Sequence, residues 1–152
     1  MRLTSSAFEH GGKIPSKHTC DGANVSPHLI IEDVPAGAKS LVLVMDDPDV
    51  PRSIRPDGMW DHWVVFDIPP DLREIPEGKE PPGVAGSGTG GNTAYFGPCP
   101  PDREHRYFFK LYALDTKLGL PVRSTKAQVE KAMEGHILAK AELMGRYERV
   151  RR

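Results

Sequence analysis

The apolar residues of the chain fall in short runs separated by polar, glycine-rich and proline-rich segments. Short runs bounded by turn residues are typical of β-strands. The continuous apolar run at 41–45 indicates a strand that is buried on both faces. The pattern therefore predicts a mostly β protein. The predicted strands lie near Leu3 to Phe8, at Leu29 to Glu32, at Ser40 to Met45, at Asp61 to Pro69, and in the stretch from Gly97 to Leu114.

The C-terminal part of the chain changes to a helical pattern. Thr125-x-x-Gln128 is the signature of a capping box, and it predicts a helix through Met133 that ends at Gly135. A second helix is predicted from about His136 to Glu148, because Ile137, Ala141 and Met144 would form one apolar stripe. We expect one or two C-terminal helices packed on a sheet.

Length and charge narrow the class of protein. A chain of 152 residues fits a single domain, 1–152, and a net charge of −1 gives no general attraction to nucleic acid or to anionic membranes. The two predicted C-terminal helices, separated by a glycine, superficially suggest a DNA-binding helix-turn-helix with a basic tail of Arg149, Arg151 and Arg152. Basic residues at a helix C-terminus also interact favourably with the helix dipole, so the tail does not require DNA binding. The longest apolar run is too short to span a bilayer. We expect a cytoplasmic protein with no nucleic-acid partner and no integral membrane contact.

The two cysteines, Cys20 and Cys99, do not form a disulfide framework. In a reducing compartment both are expected to be free thiols, although a bridge between them stays open. His10, His18 and His28 lie near Cys20, but none of these residues has the short paired spacing of a structural zinc site. The sequence predicts no metal and no cofactor.

Acidic residues follow the buried strand directly. In Asp46-Asp47-Pro48-Asp49-Val50-Pro51 the prolines prevent a helix or a continued ladder, so the carboxylates lie where the chain leaves the interior. Asp47 is either a solvated turn residue with an Asx-type hydrogen bond or part of a site with partners elsewhere. One candidate partner is His62, which lies between Asp61 and Trp63 at the start of the next strand.

The stretch GPCPPDREHRYFFKLYAL at 97–114 supplies further candidates. Alternate residues of a strand point to one face, so His105 and Tyr107 are predicted to project together. The prolines at 98, 100 and 101 stiffen the preceding loop, and Gly97 would let a backbone amide approach a ligand. A shallow polar pocket is therefore expected here.

The segment from Pro69 to Gly97 reads as one long loop with many glycines. Its GSGTGG stretch at 86–91 suggests a phosphate cradle, but no Gly-Lys-Ser/Thr and no helix follow it. A P-loop or a dinucleotide fingerprint is therefore not expected.

Three motifs together resemble one family. They are Asp-Pro-Asp-x-Pro at 47–51, His-Trp-Val-Val at 62–65 followed by Ile-Pro, and Gly-Pro-Cys-Pro-Pro at 97–101 before His-Arg-Tyr at 105–107. The sequence is similar to the phosphatidylethanolamine-binding protein family, which includes Raf kinase inhibitor protein, and looks like its bacterial and archaeal branch. The similarity extends to Thr19-Cys20-Asp21-Gly22 and to Gly135-His136-Ile137-Leu138-Ala139.

The resemblance implies a β-sandwich of two antiparallel sheets with a small anion pocket at one end. Its ligand-binding residues would be Asp47, His62, Gly97, His105 and Tyr107. The leading hypothesis is a non-enzymatic protein that binds a phosphate-bearing small molecule, a phospholipid headgroup, a phosphorylated side chain or a nucleotide. The family branch also suggests a homodimer. The supporting residues would be Asp49, Trp63 and Pro98.

The residue types agree with such a site. Two imidazoles, a carboxylate, a phenol and backbone donors suit a phosphate oxyanion if the histidines can protonate. Asp47 should raise the histidine pKa values and repel a bare dianion, which favours a phosphomonoester or a zwitterion. Binding is expected to weaken as the pH rises through the histidine pKa values.

Two further hypotheses follow. Members of the family are described as inhibitors of kinases or serine proteases, so a protein kinase or serine protease partner is a second hypothesis. The third is a magnesium-dependent phosphomonoester hydrolase with Asp47 as nucleophile, because Asp47-Pro48-Asp49-Val50 after an apolar strand mimics a phosphatase motif. That motif needs a parallel strand that leads into a helix, and the prolines at 48, 51 and 56 disfavour one.

Overall fold

Two antiparallel sheets pack face to face in the computed structural model, which describes residues 1–149. The smaller sheet has the strand order β1-β2-β5 and the larger one β6-β4-β3-β7-β8. The elements are β1 Arg2–Thr4, a 3₁₀ turn Ser16–His18, β2 Leu29–Glu32, β3 Ser40–Asp47, β4 Trp60–Ile68, β5 Glu74–Ile75, β6 Val84–Ala85, β7 His105–Leu114, α1 Lys126–Met133 and β8 Ile137–Tyr147. The prediction of a mostly β sandwich with a C-terminal helix is confirmed.

Strand β3 is buried on both faces, as its sequence predicts. Leu43 and Met45 point into the main core between the sheets, whereas Val42 and Val44 point to a second core. Helix α1 covers that second core with Val129 and Met133. Its predicted capping box is present, since the Thr125 side chain accepts from the Gln128 amide and the Gln128 side chain accepts from the Thr125 amide.

The second predicted helix is wrong. Residues 137–147 form the edge strand β8, which is antiparallel to β7 from His105 to Leu114. Burial along β8 alternates with period two, so Leu143, Gly145 and Tyr147 are buried while the residues between them are more exposed. Ala, Glu, Leu, Lys and Met favour helices locally, but pairing with β7 overrides this weak preference. With no second helix, no helix-turn-helix exists within residues 1–149, and Arg151 and Arg152 lie outside the described residues.

Three smaller expectations also need correction. Strand β1 ends at Thr4, and Phe8 enters the main core from a loop. The long loop predicted from Pro69 to Gly97 contains the two short strands β5 and β6. Cys20 and Cys99 are joined by a disulfide rather than free, with their Cα atoms 5.4 Å apart. No helix within residues 1–149 is long and apolar enough to cross a membrane.

Candidate functional site

The three carboxylates after the buried strand go to three different places. Asp46 points to the outer face of the large sheet, where it pairs with Lys110 and Lys126. Asp49 accepts three hydrogen bonds of 2.8–2.9 Å from the backbone and guanidinium of Arg106, and these bonds lower its pKa. Only Asp47 points into the end of the sandwich.

Asp47 is held at both oxygens. Its Oδ1 accepts the Asp49 amide at 2.8 Å, which is the Asx-type turn that the sequence allows. Its Oδ2 lies 2.6 Å from Nδ1 of His105. Burial raises the pKa of Asp47, although the contact with His105 works in the opposite direction. Asp47 is therefore both a turn residue and a member of a cluster.

His62 reaches the same place from the neighbouring strand β4. The register between β3 and β4 shifts between Met45 and Asp46, so that His62 is an extra residue with no partner of its own on β3. Bulges of this kind redirect side chains. Nδ1 of His62 donates to the Phe96 carbonyl at 2.7 Å. Because Nδ1 is used in this way, Nε2 is the ring nitrogen that remains for a ligand.

The histidine at position 62 is neutral at physiological pH. Burial lowers its pKa, and this outweighs the bond to the Phe96 carbonyl and the charge of Asp47, which both raise it. Asp47 acts in the expected direction, but burial outweighs it, so the net pKa of His62 is lowered rather than raised. Burial dominates because the charged form loses its hydration.

His105 and Tyr107 project from one face of β7, as the two-residue period requires. His105 is fully buried between two carboxylates, with Nδ1 facing Asp47 and Nε2 2.7 Å from Oδ1 of Asp102. The Tyr107 ring contacts the edge of His62, with centroids 5.4 Å apart. The Tyr107 hydroxyl is buried and has no hydrogen-bond partner of good geometry within residues 1–149. Burial and the nearby charge of Asp47 raise its pKa.

These side chains line one cavity of about 320 Å³ that opens to the solvent. Four of the predicted ligand-binding residues reach it, namely Asp47, His62, His105 and Tyr107. They come from the adjacent strands β4, β3 and β7. The structure therefore brings together residues that are far apart in sequence.

Gly97 does not line the cavity. Its amide donates to Oδ1 of Asn24 at 2.8 Å, so in this structure the amide is not directed at the cavity, and its approach to a ligand stays a prediction. A Cβ at this position would overlap the carbonyl oxygen of His18, which explains why only glycine fits. Pro98, predicted to support the site, accepts a hydrogen bond from the Cys20 amide instead of lining the cavity.

The other two predicted supporting residues do not line the cavity but stabilise the strands that carry its side chains. Trp63 is buried in the main core, and its Nε1 donates to Glu80 at 2.8 Å. Asp49 fixes the start of β7 through Arg106. Both positions hold the strands that carry His62 and His105.

Most of the cavity wall is apolar, and sequence reasoning missed it. Ile54 and Phe96 are large apolar residues with 52% and 42% of their surface exposed. A signal existed for Trp60, which precedes His62 by two residues on the same strand, but the loop residues carry no period. The missed wall residues are Val50, Ile54, Trp60 and Phe96, whereas Cys99, Pro100 and Pro101 belong to the proline-rich loop that the sequence predicted beside the pocket.

The glycine-rich segment at 86–91 is not a phosphate cradle. The amides of Gly86, Ser87, Gly88, Thr89 and Gly91 all donate to backbone carbonyls of the protein. No donor of this group is left to surround an anion. The sequence did not predict a P-loop here, because no Gly-Lys-Ser/Thr follows the glycines, and the hydrogen bonds of these amides agree with that reading.

Comparison with known proteins shows the family of the chain. A family profile described as phosphatidylethanolamine-binding protein matches residues 4–148. A UPF0098 protein of Chlamydia trachomatis is 50% identical over 149 residues, covering 98% of this chain and 99% of the relative. The chain belongs to the phosphatidylethanolamine-binding protein family.

Other members of the family are found in archaea and bacteria. A UPF0098 protein of Methanothermobacter thermautotrophicus is 49% identical over 155 residues, covering 98% and 99% of the two chains. The crystal structure of a phosphatidylethanolamine-binding protein homologue from Chlamydia trachomatis matches with a TM-score of 0.95 at 50% identity, over 98% of this chain and 97% of the other. Escherichia coli YbcL matches with a TM-score of 0.87 at 32% identity, over 98% of each chain. Family membership supports ligand binding in a general sense.

Proposed function

We propose that this family member binds the phosphate group of a small molecule in the cavity at the end of the sandwich, without chemical turnover. The observation that carries the proposal is the convergence of Asp47, His62, His105 and Tyr107 on one opening. The ligand would be a phosphomonoester monoanion, which donates through its P–OH, or the phosphodiester of a zwitterionic phospholipid headgroup, which donates through its ammonium group.

The charges around the cavity select the protonation state of the ligand. Asp47 and, behind His105, Asp102 bring negative charge, and no lysine or arginine of residues 1–149 lines the cavity. A phosphate dianion is repelled there. A monoanion keeps one P–OH, which donates to Asp47 or to Nε2 of His62, and a zwitterion offers its ammonium group to the same acceptors.

The pH dependence then comes from the ligand rather than from His62. Since burial lowers the pKa of His62 and so disfavours its protonation, the titrating proton is assigned to the phosphomonoester, whose second pKa is about 6. Affinity should fall as the pH rises through that value, because the monoanion becomes a dianion.

Isothermal titration calorimetry with methyl phosphate and methyl sulfate tests the proposal. Methyl sulfate is a monoanion at every pH used and has no proton to donate, so it is the matched control. With a second pKa of about 6, the monoanion makes up about three quarters of the methyl phosphate at pH 5.5 and about one hundredth at pH 8. We therefore expect binding at pH 5.5 to be roughly 75-fold tighter than at pH 8, which corresponds to about 2.6 kcal/mol. Methyl sulfate should bind weakly and without pH dependence. Failure of methyl phosphate to bind at millimolar concentration at pH 5.5 would overturn the proposal.

Variants locate the binding. His62→Asn keeps a donor for the Phe96 carbonyl but removes Nε2, so it should weaken binding of methyl phosphate. His136→Asn is the matched control, because His136 is exposed and pairs with Asp115 away from the cavity. Equal loss in both variants would place the binding elsewhere.

Two other functions stay predictions. The hydrolase finds little support, since β3 is antiparallel to both neighbours and is followed by a turn rather than a helix. Substitution of His62 and His105 separates inhibition of a kinase or serine protease from phosphate binding. If inhibition survives these substitutions, a surface other than the cavity carries it.

A further inference from the structure

The disulfide forms part of the cavity wall. Cys99 lines the cavity together with its neighbours Pro100 and Pro101. Cys20 lies 79 residues earlier, in the loop that follows the 3₁₀ turn. Both cysteines are partly exposed, so a thiol reagent can reach the bond. A covalent bond that can be opened thus holds one side of the proposed binding site.

The segment before Cys99 is anchored without the disulfide. The Gly97 amide donates to Asn24, and the Pro98 carbonyl accepts the Cys20 amide at 3.1 Å. The Tyr95 hydroxyl donates to the His18 carbonyl at 2.7 Å. Breaking the disulfide therefore leaves the chain fixed up to position 98.

The segment after Cys99 has far fewer anchors. We call residues 99–104 the wall loop. It makes no backbone–backbone hydrogen bond to the rest of the described chain, and two of its six residues are prolines without an amide donor. Its side-chain contacts include Asp102 with His105, Arg103 with the Asp49 carbonyl, and Glu104 with Arg146. The Arg103 contact is exposed and the other two are partly buried, so side chains rather than the backbone hold this loop.

We propose that the Cys20–Cys99 disulfide controls the affinity of the cavity, and that its reduction weakens phosphate binding by releasing the wall loop. This inference rests on the proposed function, because it concerns the same site. In the oxidised protein the disulfide fixes Pro100 and Pro101 against the cavity and keeps Asp102 on Nε2 of His105. In the reduced protein the loop samples other conformations, and a ligand must order it again on binding.

The redox step is ordinary thiol–disulfide exchange with a dithiol as reductant. A thiolate of the reductant attacks one sulfur of the pair, and the other cysteine leaves as a thiolate. The second thiol of the reductant then closes its own disulfide and releases the first cysteine. The protein gains two electrons and two protons, and the dithiol loses them.

Thermodynamic linkage gives the proposal a second, independent prediction. If the oxidised form binds the ligand tenfold more tightly, saturating ligand must stabilise the disulfide by the same factor. For a two-electron couple, a factor of ten equals about 30 mV. The reduction potential should therefore become about 30 mV more negative when methyl phosphate is saturating.

The test compares oxidised and dithiothreitol-reduced protein by calorimetry with methyl phosphate at pH 5.5, after thiol counting confirms each state. We expect about tenfold weaker binding to the reduced form. Cys20→Ser/Cys99→Ser should bind like the reduced wild type, and dithiothreitol should not change its affinity. This variant controls for effects of the reductant on the rest of the assay, since the chain has no other cysteine.

The outcomes separate the two proposals. Binding that is equal within twofold in both redox states would overturn the redox inference and leave the proposed function intact. Absence of binding in both states would overturn the proposed function and the inference with it. Near-ultraviolet circular dichroism of the reduced protein decides the remaining case: loss of its native signal would mean that reduction unfolds the whole protein, and control through the wall loop would be refuted.

Discussion

Replacing Tyr107 with phenylalanine should make the protein more stable and less able to bind. The Tyr107 hydroxyl is buried and makes no hydrogen bond of good geometry within residues 1–149, although Asp47 lies near enough to raise its pKa as a poorly aligned acceptor. A buried, unsatisfied polar group costs about 1–3 kcal/mol relative to a satisfied one, and phenylalanine keeps the ring and its packing against His62. We expect the free energy of unfolding to rise by about 1 kcal/mol, the lower end of that range.

Urea denaturation followed by tryptophan fluorescence measures this change, because Trp60 and Trp63 flank His62 on β4. The midpoint should rise while the m-value stays constant. For a chain of this size, about 1 kcal/mol corresponds to roughly 3 °C in Tm. The same variant should bind methyl phosphate about fivefold more weakly, because a donor to the phosphate oxygens is lost, which corresponds to roughly 1 kcal/mol.

Tyr112→Phe is the matched control. Tyr112 lies on the same strand but on the outer face, away from the cavity. It should change neither affinity nor stability by more than about 0.5 kcal/mol. A Tyr107→Phe protein that is less stable by 1 kcal/mol or more would show that the hydroxyl is already hydrogen-bonded, with Asp47 as the acceptor, and would refute the reasoning. Unchanged affinity would remove Tyr107 from the binding site.

Three further predictions concern the disulfide, the buried histidine and the close-packed glycine. Cys20→Ser/Cys99→Ser should lower the free energy of unfolding by about 4 kcal/mol, since the bond closes a long loop; a loss below about 1 kcal/mol in urea denaturation would argue against this. Because burial lowers the pKa of His62, the unfolded chain takes up a proton that the folded chain does not. Stability should therefore fall below about pH 6.5, by up to about 1.4 kcal/mol per pH unit, and denaturation at pH 7.5, 6.5 and 5.5 should show a shallower fall in His62→Asn. Gly97→Ala should cost more than about 2 kcal/mol because its Cβ would meet the His18 carbonyl oxygen, whereas Gly37→Ala, with its nearest neighbour at 3.8 Å, should be close to neutral; similar thermal stability of the two variants would contradict the packing account.

The parts of the fold that sequence reasoning predicted are those that local patterns determine. The apolar run of β3 indicated burial on both faces, and the pairing of Thr125 with Gln128 marked the start of α1. The two-residue spacing of His105 and Tyr107 placed both on one face of β7. Each of these features depends on residues within one element.

The parts that it missed depend on contacts between distant segments. Strand β8 has helix-favouring residues, and only its pairing with β7 makes it a strand. The disulfide depends on the approach of two loops that are 79 residues apart. The neutral state of His62 depends on burial, which the sequence did not show to outweigh the charge of Asp47.

The apolar wall of the cavity was missed for a similar reason. Val50, Ile54 and Phe96 come from loops, where no period shows which way a side chain points. The residue pattern raised Asp47, His62 and His105 as candidates and the family resemblance joined them into one site, but neither indicated this wall. The polar groups of the site were therefore easier to predict than its shape.

An NMR titration with methyl phosphate at pH 5.5 tests the central claim most directly. The ring signals of His62, His105 and Tyr107 should shift together and saturate with one common Kd, while the rings of His136 and Tyr112 stay unchanged. Shifts that follow different binding curves, shifts confined to residues outside the cavity, or no shift at millimolar methyl phosphate would contradict a single receptor site formed by these strands.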